Sequence, residues 1–272
     1  MHIVRCMLAG LLLATLLGGC GAIHRLPDIS DLDRKKAIEE IDAAGAELAP
    51  SERSVTDNAK MVSEVSARLR AAVEPVCAHA GHESCTFDVV FRDKDTFNAY
   101  ATGTNRIIMF DGFVRVLESE DECAAVLAHE MGHHIAGHIE KTRTNAAIGS
   151  AISMVLVTAL QVAVGAYGGP SSYSDTQRTL QDAQKLGEGI GALSFSKEHE
   201  READYIAAYI LKRAGYDLVA ARKVWMRLTR ASGKTESDLF STHPAGPERL
   251  AAWDKAVAEV EASADLLPVL VR

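Results

Sequence analysis

The sequence predicts an α+β chain, mainly α, with one small sheet. Helical spacing dominates the N-terminal part, where Val55, Ala59, Val62, Val65 and Leu69 fall on one face. Two short β-branched or aromatic runs, TFDVVF (86–91) and RIIMF (106–110), stand close together with turn residues nearby. Three further helical stretches close the chain: 198–214 stopped by Gly215, 218–231 stopped by Gly233, and 247–262.

The 272 residues are enough to bury a substantial core, and a hydrophobic share of 47% is that of an ordinary globular protein. The net charge of −8, from 37 acids against 29 bases, argues against a nucleic-acid partner, which would favour a basic surface.

The first residues, MHIVRCMLAGLLLATLLGGC, have a short segment with Arg5, an apolar run and then small residues. The run is too short for a membrane span of about twenty residues and has the layout of a secretory signal. Its ending, Leu17-Gly18-Gly19-Cys20, resembles a bacterial lipobox, in which the cysteine is acylated and begins the mature chain. The expected organisation is a signal over 1–19, a tether over 20–31, and a domain over 32–272 carrying an insert at 146–197. By analogy with lipoprotein sorting, Gly21 after the cysteine points to the periplasmic face of the outer membrane. In that oxidising compartment Cys77 and Cys85 can close a short disulfide loop, which disfavours a metal site made with His79 and His82. Cys123 reads as a buried free thiol.

Along the domain, residues 32–48 read as a helix followed by Pro50, and 51–73 as a second. Asp111-Gly112 marks a turn after the second strand. Ser119 and Glu122 have the spacing of a capping box, and the helix they open is expected to run through the histidines to Lys141 and Arg143. Residues 146–169 are apolar over about the length of a span, but Ser, Thr, Gln and Gly dilute them, so they read as a helix packed on the protein or lying near a membrane. Residues 170–191 are polar and read as a loop.

Chemistry concentrates at His129-Glu130-Met131-Gly132-His133. At about 100° per residue, His129 and His133 lie within about 40° of each other on one helix face, so two imidazoles can share one zinc ion. Glu130 sits beside that face as a base for metal-bound water. His134 and His138 are rotated away and read as polar-face or hydrogen-bonded side chains. A later histidine in the H-E-x-x-H-x-x-G-x-x-H pattern would have to stand at 139, where this chain has Ile139. The third ligand is sought downstream instead. In FSKEHEREAD, Glu200 and Asp204 share a face at i and i+4. Glu200 can supply the third ligand, and Asp204 can accept from the distal nitrogen of a ligating histidine. Glu198 and Glu202 read as solvated.

Together SEDECAAVLAHEMGHHIAGH, SFSKEHEREAD, STHPAGPERL and NAYATGTNRIIMFDGFV resemble metallopeptidase family M48, the HtpX-like and prenyl-endopeptidase-like zinc metalloproteases, in its periplasmic lipoprotein type. The resemblance spans about 98–250. It implies a zincin-like (gluzincin) metalloprotease fold with one zinc per chain, His129, His133 and Glu200 as ligands, Glu130 as base, and Asp204 supporting a ligand. It also assigns His243 a place near the metal, either stabilising the oxyanion or capping the zinc to hold the enzyme latent. Lys197, where arginine is common, and Cys123, where leucine is common, depart from the pattern. The implied activity is an envelope endopeptidase in protein quality control, acting on unfolded or unassembled polypeptides, with a substrate strand pairing near 105–110. The rival reading is an assembly factor or chaperone for outer-membrane proteins built on a largely latent protease scaffold and working with the assembly machinery.

Overall fold

The structure, a computed structural model, describes residues 22–44, 48–103, 105–144, 147, 195–232 and 238–271. The signal-like segment with Cys20, and nearly all of the 146–197 insert, lie outside the described residues. Two N-terminal helices, α1 (Asp31–Ala43) and α2 (Val55–His79), lead into strands β1 (Asp88–Arg92), β2 (Ala99–Thr102) and β3 (Arg106–Phe110). A one-turn helix α3 (Asp111–Val114) stands where the sequence suggested a turn, and α4 (Glu120–Ile135) carries the histidines. After the insert come α5 (Lys197–Arg213), α6 (Leu218–Ser232), a short α7 (Asp238–Thr242) and α8 (Pro247–Ala262). The α+β, mainly helical class holds. Among the described residues no helix is long and apolar enough to cross a membrane.

Local chemistry fixes these ends. Ser30 caps α1 in a complete box with Asp33, and Ser54 caps α2 by accepting from the Asp57 amide. Helix α1 ends at Ala43, short of the expected 48. Helix α2 runs beyond the expected 73 to His79, which brings Cys77 against Cys85, and the two are joined by a disulfide. At α4, Ser119 accepts from the Glu122 amide as its spacing implies. The Glu122 carboxylate does not reach back to close the box: it accepts from the Glu118 amide and from buried Arg227. A buried acid with a guanidinium partner is worth more there than as a cap.

The sheet order is β1-β3-β2, with β1 parallel and β2 antiparallel to β3. Strand β3 is therefore central, with both sides paired. The expectation that a substrate strand pairs along 105–110 is corrected on that ground: among the described residues the unpaired edge on this side is β2.

Helices α4 and α5 cross at the centre of the core. Gly132 permits this, because a Cβ there would lie 2.7 Å from the Ala203 carbonyl oxygen. Around the crossing, Leu127, Met131, Ile135, Tyr205, Ile206 and Tyr209 are buried, with Trp253 of α8 behind them. The crossing sets the histidines of α4 against the carboxylates of α5.

The long helix expected through the histidines is broken. Helix α4 stops at Ile135 with Ala136 as its cap, and Gly137 adopts φ +69 before the backbone turns helical again over 138–144. Only glycine takes that left-handed conformation without penalty. Lys141 and Arg143 belong to the second segment and not to the end of α4.

Candidate metal centre

His129, His133, Glu200 and His243 each direct one ligand atom into a common buried space, and these atoms all lie within 4.8 Å of one another. The two histidines come from one face of α4, Glu200 from the first turn of α5, and His243 from the residue after α7. Glu200 Oε1 stands 3.3 Å from His133 Nε2 and 3.1 Å from His243 Nδ1, while Oε2 stands 3.4 Å from His129 Nε2.

The far sides of both imidazoles are fixed. His129 Nδ1 meets Asp204 Oδ1 at 2.8 Å, and an ionised carboxylate only accepts, so that nitrogen bears the proton. His133 is held less directly. Its Nδ1 lies 3.0 Å from His138 Nδ1, and His138 Nε2 lies 2.9 Å from Glu202 Oε2. Because Glu202 accepts, His138 carries its proton on Nε2, leaving its Nδ1 to accept from His133. Both ligand-side Nε2 atoms then face inward, 3.0 Å apart and beside Glu200. Two lone pairs tolerate that spacing only with positive charge between or beside them. With His129 deprotonated at Nε2, the donor set is two neutral imidazoles and a carboxylate, which is that of a zinc site.

Without an ion, a proton supplies that positive charge: burial alone would depress His129, but Glu200 and Asp204 outweigh it and raise the imidazole to about 9, so His129 is cationic at neutral pH and gives up its Nε2 proton to ligate a metal. Burial holds His133 well below its usual range. Burial would raise Glu200, but Arg249, His243 and His129 bring its carboxyl well down. Glu202 is likewise held at about 2 against the cost of burial, chiefly by hydrogen bonds to His138 and His24. Glu130 is pushed up by burial, with His243, His129 and the Ala101 amide opposing.

Glu130 is next to His129 but turns toward the sheet. Its Oε2 accepts from the backbone amide of Ala101 on β2 at 2.7 Å, and Oε1 lies 3.6 Å from His243 Nε2, which is buried without a hydrogen bond. Beside these two side chains opens an apolar hollow walled by Phe113, Val126, Trp225, Leu228, Leu239 and Phe240.

Three residues of this site escaped the sequence reading. Arg249 on α8 is buried and grips both oxygens of Asp204 at 2.8 Å while its Nη1 reaches Glu200 at 2.6 Å. The signal was an arginine beside Leu250, Ala251 and Trp253 on the buried side of α8. Glu202, expected in solvent, is fully buried: the short EHERE run hides that 202 faces the core behind His138. His138, set at about 180° from His129 by a continuous helix, swings back toward His133 because the helix breaks at Gly137. Glu198 is exposed, and His134 Nε2 pairs with the Arg106 carbonyl at 3.1 Å.

Helix-borne imidazoles on one face, a glutamate from a later helix and a small sheet whose edge abuts the glutamate between them define a zincin-like metalloprotease. The sequence pattern of Peptidase family M48 matches residues 63–257, and the chain belongs to that family of zinc-dependent metalloproteases. It is similar to the metalloprotease LoiP of Escherichia coli, 27% identical over 263 residues, covering 90% of this chain and 94% of the relative. It is similar also to the mitochondrial metalloendopeptidase OMA1 of Arabidopsis thaliana, 28% identical over 167 residues, 61% of this chain and 31% of the relative. The beta-barrel assembly-enhancing protease of Yersinia pestis is 27% identical over 181 residues, 64% of this chain and 35% of the relative. The chain thus spans about a third of the length of these last two relatives.

Proposed function

We propose that the protein is a zinc-dependent endopeptidase of the bacterial cell envelope that degrades or processes unfolded or unassembled envelope proteins. The observation that carries the reading is the convergence of two imidazole Nε2 atoms and the Glu200 carboxylate at a point that Glu130 flanks. His129, His133 and Glu200 would hold the ion, with Asp204 fixing His129. When bound, zinc supplies a Lewis acid that polarises the scissile carbonyl. Glu130 takes a proton from the attacking water and later returns it to the leaving amine. His243 has two faces here: its Nε2 is available beside Glu130 for a developing oxyanion, while its Nδ1 stands among the ligand atoms, where a cap on the metal would sit.

A polypeptide fits the surroundings. The edge of β2 can pair with an extended chain once Glu130 releases the Ala101 amide, and the apolar hollow beside Glu130 accepts an apolar side chain. The signal-like N-terminus and Cys20 support export and a lipid anchor at the periplasmic face of the outer membrane. Similarity to an assembly-enhancing protease supports the second reading, an assembly factor whose protease centre is largely latent. Cells carrying Glu130→Gln in place of wild type are expected to accumulate uncleaved envelope proteins bound to the variant. Full rescue by Glu130→Gln of an outer-membrane assembly defect, with no trapped substrates, would instead favour the assembly role.

A further inference from the structure

The two histidines of α4 are supported unequally. Through its Nδ1 His129 leans on a carboxylate directly, whereas the Nδ1 of His133 reaches one only through His138. Gly137 makes this possible by ending α4 and turning the chain so that the His138 ring returns beneath His133. His138 is clamped in turn: His199 stacks on it at 4.2 Å, and its Nε2 proton goes to Glu202 Oε2.

The other oxygen of Glu202 is occupied by the start of the described chain. Oε1 accepts from the Ile23 amide at 2.7 Å, the His24 amide at 2.9 Å and His24 Nδ1 at 2.9 Å. His24, His138 and Glu202 are all buried to within 1%. The 23–25 segment is itself pinned to the C-terminal segment: the Arg25 amide donates to the Val269 carbonyl, the Val271 amide donates to the Ile23 carbonyl, and His24 forms an isolated antiparallel bridge with Leu270. The series from His133 to the N-terminal backbone is unbroken, with one donor and one acceptor at every step.

We infer that His138 and Glu202 are positioning residues for the His133 imidazole, and that the Ile23–His24 backbone completes this support, making the N-terminal segment a working part of the metal site. The inference rests on the reading of His133 as a zinc ligand. It acts through orientation and tautomer: with Glu202 accepting, His138 must accept from His133, and the Nε2 lone pair of His133 is kept free and aimed. It also gives Glu202 a reason to be buried beside Glu200, since a carboxylate with four donors around it is a fixed point.

The test uses the full chain and reads metal binding besides activity. Zinc affinity is measured by chelator competition, and the ligand field by the visible spectrum of the cobalt-substituted protein, for wild type, His138→Phe, His138→Asn, Glu202→Gln and His24→Leu. Supporting residues of this kind typically change metal affinity about 10- to 100-fold. His138→Phe and Glu202→Gln are expected to weaken zinc by that factor and to shift the cobalt bands. His138→Asn, which keeps an acceptor toward His133, should recover part of the loss, and His24→Leu, at the far end, should show a smaller weakening in the same direction. Circular dichroism separates these effects from unfolding, and His24→Leu and His138→Asn carry the test if the harsher variants do not fold. Folded variants with wild-type zinc affinity and an unchanged cobalt spectrum would overturn the inference. A wild-type chain that binds no zinc would overturn the metal-site reading instead.

Discussion

Gly132 packs directly on the backbone of Ala203: a Cβ on Gly132 would stand 2.7 Å from the Ala203 carbonyl oxygen and 3.0 Å from its Cα. Neither neighbour is a flexible side-chain tip, so the helices must separate to admit a methyl group. Gly132→Ala is expected to cost about 1–3 kcal/mol, the usual range for overpacking a core. Because α4 carries His129 and His133 while α5 carries Glu200 and Asp204, separation also spreads the ligands. Denaturant titration and zinc affinity should fall together, and a variant as stable as wild type would mean that the crossing is looser than described.

Arg249 is the only counter-charge among the described residues that touches both Glu200 and Asp204 through a guanidinium. Arg249→Met leaves two buried carboxylates short of a cation, and breaking a buried pair in this way costs about 3–5 kcal/mol. Arg249→Lys should recover only part, since an ammonium cannot grip Asp204 with two parallel hydrogen bonds. Zinc should restore some stability to Arg249→Met by supplying positive charge to Glu200. Equal denaturation midpoints for all three proteins would refute this account.

The Cys77–Cys85 bridge closes a loop with a sequence separation of 8 at the end of α2, and His82 within it reaches the Ile135 carbonyl at 2.8 Å. It constrains the unfolded chain, which for short loops stabilises by about 2–3 kcal/mol. Reduction, or Cys85→Ser, should lower the unfolding free energy by that amount and leave the zinc stoichiometry unchanged. Metal loss on reduction under native conditions would tie the loop to the site more closely than the structure does.

Cys123 is a buried free thiol, and burial pushes it up to about 12 from the usual 9.0. The folded state therefore favours the neutral thiol. The stability this contributes is present in full below pH 9 and is lost as pH rises toward about 12. The thiolate is the reactive form, so native protein should resist iodoacetamide at pH 8 and react only after unfolding. Labelling of the folded chain at the rate of a free thiol would show that the base of α4 opens.

Much of this was legible in the sequence because local rules decide it. The helix at 247–262 begins at its proline as expected, Gly215 stops α5, and the i to i+4 spacing sets His129 over His133 and Glu200 over Asp204. What escaped depends on contacts remote in sequence. Strand β2 is four residues long and needs β3 beside it to form. Glu202 sits in a run of charges, and only partners remote in sequence, His138 at 64 positions and His24 at 178, reveal its burial. The break at Gly137 was readable as glycine near a helix end, but helix-forming residues on both sides masked it, and with it the return of His138 to His133.

The central claim is that Glu130 performs proton transfer at a zinc ion held by His129, His133 and Glu200. The most direct measurement compares wild type and Glu130→Gln for zinc content and for cleavage of an unfolded polypeptide in the same preparations. Glu130→Gln should bind one zinc per chain, fold as wild type, and lose about 10²- to 10⁴-fold in kcat/KM, the range that general acid–base groups contribute. A zinc-loaded, folded Glu130→Gln that cleaves at the wild-type rate would contradict it.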